Sequence, residues 1–285
     1  PMYRAGWDFE ELIFGDVPLG WDTIGTHKVI NSVQQEDFQK HKDRLYTPDN
    51  LVITFAGKID DGQAIDLGEK YFGTIGGKKD GDFAPLEKYG SDKVFLRSKK
   101  TEQSHLVIGV PGVSSQDPRH FTHKLLGIIL GGNMSSRMFL NIREAKGMCY
   151  YIDTDADYYL DAGALSTRAG IDQSRLNEAI KLIINEYDKV VEGGVEEEEV
   201  ARAKSYMKGS MILGLEDSEE LAHFYGKQKL LYPNIRDVED YIKEIESVSK
   251  EGIDQLAKEL FAHENLRLSV IGNTDDKSGL ESLLV

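Results

Sequence analysis

The segment NIREAKGMCYY, residues 141–151, places a guanidinium and a phenol at the adjoining ends of two elements. Arg143 falls in the last turn of a predicted helix, and Tyr150 follows across a break at Gly147. Such a pair could converge on one polar group of a ligand. A plainer account is also open: an arginine near a helix C-terminus, where the macrodipole favours it, and a core tyrosine. Other chemistry is weaker. The acidic run DTDADYYLD (153–161) invites calcium, but the glycine and glutamate that an EF-hand loop requires are replaced by Tyr158 and Ala164. Its alternate aspartates share one face of a strand and are read as solvated. His120 and His123 could share a helix face, yet no acidic or cysteine partner stands at ligand spacing, so both are read as surface histidines. LGGNMSSR lacks the Lys-Ser/Thr ending of a phosphate loop and reads as a helix break. No Ser-His-Asp or Cys-His nucleophile is supported. Taken alone, the chain shows no self-sufficient active site.

The elements that must position these residues follow from periodicity and punctuation. Helices are predicted over 9–15 and 34–46, with Phe38, Lys42, Leu45 and Tyr46 as the inward stripe of the second. LVITFAG (51–57) reads as a strand and 62–72 as a helix stopped by Gly73. KVFLRSK and SHLVIGVPG are strands, followed by a helix over RHFTHKLLGIIL and another over SSRMFLNIREAKG. MCYYIDTDADYY and GALSTRAG form a strand pair around Leu160–Gly163, and two long helices follow, the first capped by Asp172 and the second opened by EEEE (196–199). Strands that pair locally and helices that come in blocks make the class α+β.

The chain also repeats itself. Residues 30–60 align without a gap to 245–275, with nine identities that include Leu45/Leu260, Asn50/Asn265, Leu51/Leu266 and Gly57/Gly272. Both copies spell an amphipathic helix, then a β-rich run that ends in a glycine turn, which points to tandem homologous domains. A long stretch precedes the second copy, whereas only residues 1–29 precede the first. If the copies are equivalent, roughly 120 residues are missing from the front of the first, and a chain opening Pro1-Met2 reads as a fragment or processed product.

Composition sets outer limits. The length of 285 residues suits two domains, and a net charge of −15 argues against general affinity for nucleic acid or an anionic membrane surface. One cysteine, Cys149, excludes an internal disulfide framework, fits a reducing compartment and reads as a small buried hydrophobe. No apolar run approaches a membrane span. The cytoplasm is the expected location, with a signal sequence left open.

Several separate blocks carry a family resemblance: FGDVPLGWDTIGT (14–26), LYTPDNLVITFAGKID (45–60), TEQSHLVIGVPG (101–112), LGGNMSSRMFLNIREAKGMCY (130–150) and MILGLEDS (211–218). Together they resemble the pitrilysin/insulinase family of zinc metallopeptidases, in its short bacterial form similar to mitochondrial processing peptidase. The resemblance implies homologous α+β domains in tandem, each an antiparallel sheet packed against helices. It implies a zinc site made by H-x-x-E-H and a distal glutamate, with the motif's glutamate as general base. No H-x-x-E-H occurs in these residues. The resemblance therefore implies that zinc belongs to the full-length protein and that this chain binds none.

The expected division is 1–78 as the remnant of a first, zinc-bearing domain, 79–91 as linker, and 92–285 as a second, non-catalytic domain. By resemblance, Arg143 and Tyr150 are that domain's contribution to substrate, reaching the scissile region and stabilising the oxyanion formed there. The expected function is part of a zinc endopeptidase acting on peptides or unfolded segments, the chain being inactive alone. Alternatives are a non-catalytic subunit of a heterodimeric peptidase and an inactive scaffold. Expected partners are peptide substrates, the missing N-terminal segment or a homologous H-x-x-E-H subunit, and a second copy in a dimer, without nucleic acid or membrane.

Overall fold

The computed structural model describes all 285 residues. In chain order they form α1 (Met2–Phe14), α2 (His27–Ser32), α3 (Gln35–Leu45), α4 (Asp61–Phe72), β1 (Val94–Ser98), β2 (Gln103–Pro111) and α5 (His120–Gly131). A π-helical segment, Phe139–Glu144, leads to β3 (Cys149–Tyr158), β4 (Gly163–Asp172), α6 (Leu176–Gly193) and α7 (Glu197–Gly214). The chain closes with α8 (Ser218–Leu231), α9 (Val238–Ser247), α10 (Lys250–Leu260), β5 (Arg267–Gly272) and α11 (Lys277–Glu281). The fold is α+β.

Two compact units emerge, and neither is contiguous in sequence. The first gathers residues 1–24, 85–205 and 244–285; the second gathers 25–84 and 206–243.

The first unit is built on one sheet of order β1-β5-β2-β4-β3, antiparallel except for the parallel β1–β5 pair. Helices α5 and α6 pack on the sheet, and α10 packs on those two helices. Helix α5 is apolar around nearly its whole circumference and is buried accordingly. Tyr187 of α6 lies flat against Phe261, with centroids 4.3 Å apart. Its hydroxyl joins Thr167, which in turn meets Thr154, so this buried polar group is fully partnered. On the opposite side lies α1. Phe9, Ile13 and Phe14 pack on Val107, Ala164 and Ile271, and the fully buried Asp8 accepts two hydrogen bonds from Arg97 of β1 and one from Arg4.

The repeat is visible as structure. α10 restates α3 residue for residue, and a short 3-10 turn follows each, His263–Asn265 and Pro48–Asn50. Asn265 donates its side-chain amide to the carbonyl of Leu260 at 3.1 Å, as Asn50 does to Leu45 at 2.8 Å. That accounts for one identity: each asparagine satisfies an orphan carbonyl at a helix C-terminus. The alignment continues upstream through Phe9/Phe224 and Pro18/Pro233, which makes α8 the counterpart of α1. Each of these helices falls in the unit that holds the other copy's β-rich run, α1 with β5 and α8 with residues 51–57.

The second unit differs from two expectations. Residues 51–57 do not form a strand, because no other segment of the chain lies alongside to make a ladder. Helix α3 buries no inward stripe: Phe38 and Tyr46 are 66% and 60% exposed. Amphipathic periodicity states which face seeks cover, but cover requires a neighbouring layer.

The histidines of α5 are also not on the surface. His120 is nearly buried, and His123 is completely so, with neither ring nitrogen hydrogen-bonded. A helix enclosed on all sides leaves no solvent face for them. Burial, assisted by the Lys124 charge, pushes the imidazole of His123 down to about 4. An unfolded His takes up its proton near 6.5, so between there and about pH 4 the unfolded state holds a proton that the folded state refuses. Stability at His123 is therefore full above pH 6.5 and falls as pH drops through that window, by about 1.4 kcal/mol per unit. His123→Leu should flatten this part of the profile. Urea titrations of both proteins between pH 4 and 7 check it; parallel profiles would refute it.

Candidate substrate-binding site

Arg143 belongs to the π-helical segment rather than to an ordinary helix end. The amide of Ala145 bonds to the carbonyl of Leu140 at 3.0 Å, the five-residue spacing of a π turn, and Gly147 bonds back to Arg143 at 3.0 Å. Such wide turns are rare and recur at functional sites. Met138, Ile142 and Met148 are buried and anchor the segment, and the amide of Met148 bonds to Ile142 at 3.1 Å. Gly147 turns the chain with φ +52, the left-handed region where glycine alone is unstrained. The guanidinium of Arg143 lies 4.8 Å from the centroid of Phe139, is half-buried, and has no carboxylate partner.

β3 begins two residues after that turn and at once departs from regular pairing. Cys149 pairs with Ile171 and Tyr151 with Gly170, so Tyr150 is the extra residue of a β-bulge. A bulge releases its residue from strict alternation and re-aims it. Tyr150 is accordingly 63% exposed, which excludes the core-tyrosine account. Tyr151 is held instead. Its ring lies where a Cβ on Gly170 would come within 2.4 Å, and its hydroxyl meets His105 Nδ1 at 3.0 Å. Burial raises the Tyr151 phenol to about 12, so it stays protonated. Burial likewise lifts the Cys149 thiol to about 11, with the Arg143 charge pulling the other way. Cys149 is thus an inert thiol, half-buried rather than core.

Further along β3 the aspartates do share a face, but they are not simply solvated. Arg168 of β4 bonds to both Asp153 and Asp155. Asp155, Asp157 and Arg168 line a pocket against α1 together with Phe9, Glu10 and Tyr159. Burial, then neighbouring carboxylates, raises Glu10 and Asp157 above the usual range. Alternation in the sequence identified the acidic face; α1 as its other wall comes from a distant segment and left no local signal.

Arg143 thus lies in the segment that leads into β3 and Tyr150 near the start of that strand, and an acidic pocket lies further along it. The structure brings together no metal ligands: no group of three or more His, Cys, Asp or Glu side chains could hold an ion. The residues present do not fit a zinc site. Nor is any helix long and apolar enough to cross a membrane.

Comparison with known proteins agrees with this architecture. Residues 32–207 match the family described as the peptidase M16 inactive domain. The chain is 31% identical over 276 residues to an uncharacterized zinc protease of Streptomyces coelicolor, covering 94% of this chain and 60% of that protein. It is 32% identical over 253 residues to the uncharacterized zinc protease YmxG of Bacillus subtilis, covering 88% and 61%. The chain therefore spans about three fifths of the length of these relatives. In fold it is similar to a peptidase M16 inactive domain from Pseudomonas fluorescens, with a TM-score of 0.86 at 16% identity, covering 96% of this chain and 66% of that one. It is also similar to a protease from Helicobacter pylori, with a TM-score of 0.83 at 16% identity, covering 95% and 67%. With the family model matching residues 32–207 and relatives above 30% identity, the chain belongs to the peptidase M16 family, matching its inactive domain.

Proposed function

We propose that this chain is the non-catalytic part of a zinc-dependent endopeptidase and that Arg143 and Tyr150 bind the backbone of a peptide or unfolded segment. The observation that carries the reading is their joint availability: a guanidinium without a carboxylate partner and a phenol turned out by a bulge, on adjoining elements. Both are donors, and a peptide carbonyl is an acceptor. An oxygen that gains negative charge during hydrolysis is held more tightly by such donors than the neutral carbonyl is, which is the differential binding that accelerates a reaction. The zinc named for the relatives would be held by residues outside these 285. The acidic pocket beside α1 suits basic side chains of the same substrate.

The test is metal analysis and cleavage of a quenched fluorescent peptide, for the chain alone and mixed with a family polypeptide that carries H-x-x-E-H. The chain alone should hold no stoichiometric zinc and cleave nothing, and the mixture should show chelator-sensitive hydrolysis. Chelator-sensitive hydrolysis by the chain alone would overturn the reading. A mixture that binds peptide without cleaving it would favour a scaffold instead.

A further inference from the structure

We infer that Phe139 is the positioning residue for Arg143: its ring holds the guanidinium in place without occupying the N–H donors. This rests on the reading that Arg143 binds a peptide backbone, and it says what keeps that donor set ready. The guanidinium carbon lies over the Phe139 ring, 4.8 Å from the centroid. Arg143 makes no hydrogen bond and no ion pair. In this it stands apart within its unit. Every other arginine of the first unit meets a carboxylate, except Arg267, which donates to the carbonyls of Gly90, Glu264 and Leu266.

The two kinds of anchor differ in chemistry. A carboxylate takes hold of a guanidinium through its N–H groups and cancels its charge. A phenyl ring attracts the cation through the negative face of its π cloud and leaves the in-plane donors unspent. An unanchored arginine also has many rotamers to lose on binding, and an anchor that limits them beforehand reduces that loss. The ring therefore supplies what an oxyanion contact needs, a fixed cation whose fork of donors is still available.

The backbone supports the pairing. Phe139 and Arg143 are four apart, the spacing at which helical side chains are neighbours. The wide turn that carries them is anchored by other residues. Met138 and Ile142 are buried, and Asn141 donates to Glu186 of α6 at 3.0 Å. Arg175 donates to the carbonyl of Gly147 at 3.3 Å, just beyond the segment. Phe139 itself stays half-buried, so its ring is not a core side chain.

Phe139→Leu removes the ring but keeps an apolar side chain, and Phe139→Tyr keeps the ring. In the nitrogen–proton NMR spectrum of the labelled chain, the Arg143 Nε–H signal is identified by its loss in Arg143→Lys. It should carry a ring-current shift that Phe139→Leu abolishes and Phe139→Tyr preserves; Phe139→Met replaces the leucine variant if that one perturbs the backbone spectrum. In the assembly with an H-x-x-E-H polypeptide, Phe139→Leu should lower kcat about tenfold with KM little changed, and Phe139→Tyr should keep the parental rate. Added to Arg143→Ala, Phe139→Leu should cost nothing further, because its effect travels through the guanidinium. An Arg143 signal unmoved by loss of the ring would overturn the inference. So would an equal loss of rate in the Arg143→Ala background, which would make Phe139 a purely structural residue. If Arg143→Ala alone keeps its rate, the proposed function falls, and the NMR signal still decides whether the ring holds the guanidinium.

Discussion

If the proposed function holds, Arg143→Ala in the zinc-bearing peptidase assembly should lower kcat about a hundredfold while zinc content stays unchanged, the effect expected from losing about 3 kcal/mol of transition-state stabilisation. Tyr150→Phe, which removes a single hydroxyl, lowers kcat in the same direction. The reasoning is geometric. Arg143 stacks on Phe139 and Tyr150 projects from a bulge, so neither substitution opens a cavity or strands a buried partner. Both losses should therefore appear in turnover with thermal stability nearly intact. Arg143→Lys retains the charge without the planar fork and should recover only part of the rate. Steady-state kinetics with a fluorescent peptide, run beside metal analysis, decides the matter. Unchanged rates in both Arg143→Ala and Tyr150→Phe would return the pair to ordinary surface residues.

Asp8→Ala should cost about 1–2 kcal/mol of stability, because Asp8 is buried but the Arg4 and Arg97 side chains it binds are 32% and 40% exposed and regain water when it is removed. Asp8 is completely buried, with Arg97 Nε and Nη2 at 2.8 and 2.7 Å and Arg4 Nε at 2.7 Å. These hydrogen bonds raise the Arg97 guanidinium further above its usual range, and they tie α1 to β1 across the edge of the sheet. Deleting the carboxylate removes the anion shared by the two guanidinium groups, of which Arg4 keeps Asp22 as a partner. Asp8→Asn keeps the shape and part of the hydrogen bonding, so it should lose less. Urea unfolding followed by far-UV circular dichroism gives both values. A midpoint for Asp8→Ala within error of the parent would mean that apolar packing alone holds α1 in place.

Local chemistry decided most of what the sequence determined. Asp172 caps the 3-10 turn before α6, and Asp117-Pro118 leads into α5. The alternation of GALSTRAG makes a strand paired on both sides, because period-two patterning and turn residues act over a few positions. Arg143 and Tyr150 stood out for the same reason: both lie within a few residues of one glycine break in the sequence. The repeat, too, was legible, since matching residues such as Asn50 and Asn265 perform matching hydrogen bonds.

Tertiary structure decided what depends on a second layer. Residues 51–57 have the composition of a strand, but a ladder requires a partner, and no composition supplies one. The stripe of α3 likewise predicts a buried face without providing anything to bury it. His123 read as a surface residue because a helical pattern does not reveal that neighbours enclose the helix on every side. The π turn at Phe139–Glu144 and the bulge at Tyr150, flanked by the buried Met138, Ile142 and Met148, have no signature in local periodicity. Sequence singled out Arg143 and Tyr150; the bulge in β3 decided that Tyr150 is exposed rather than part of the core.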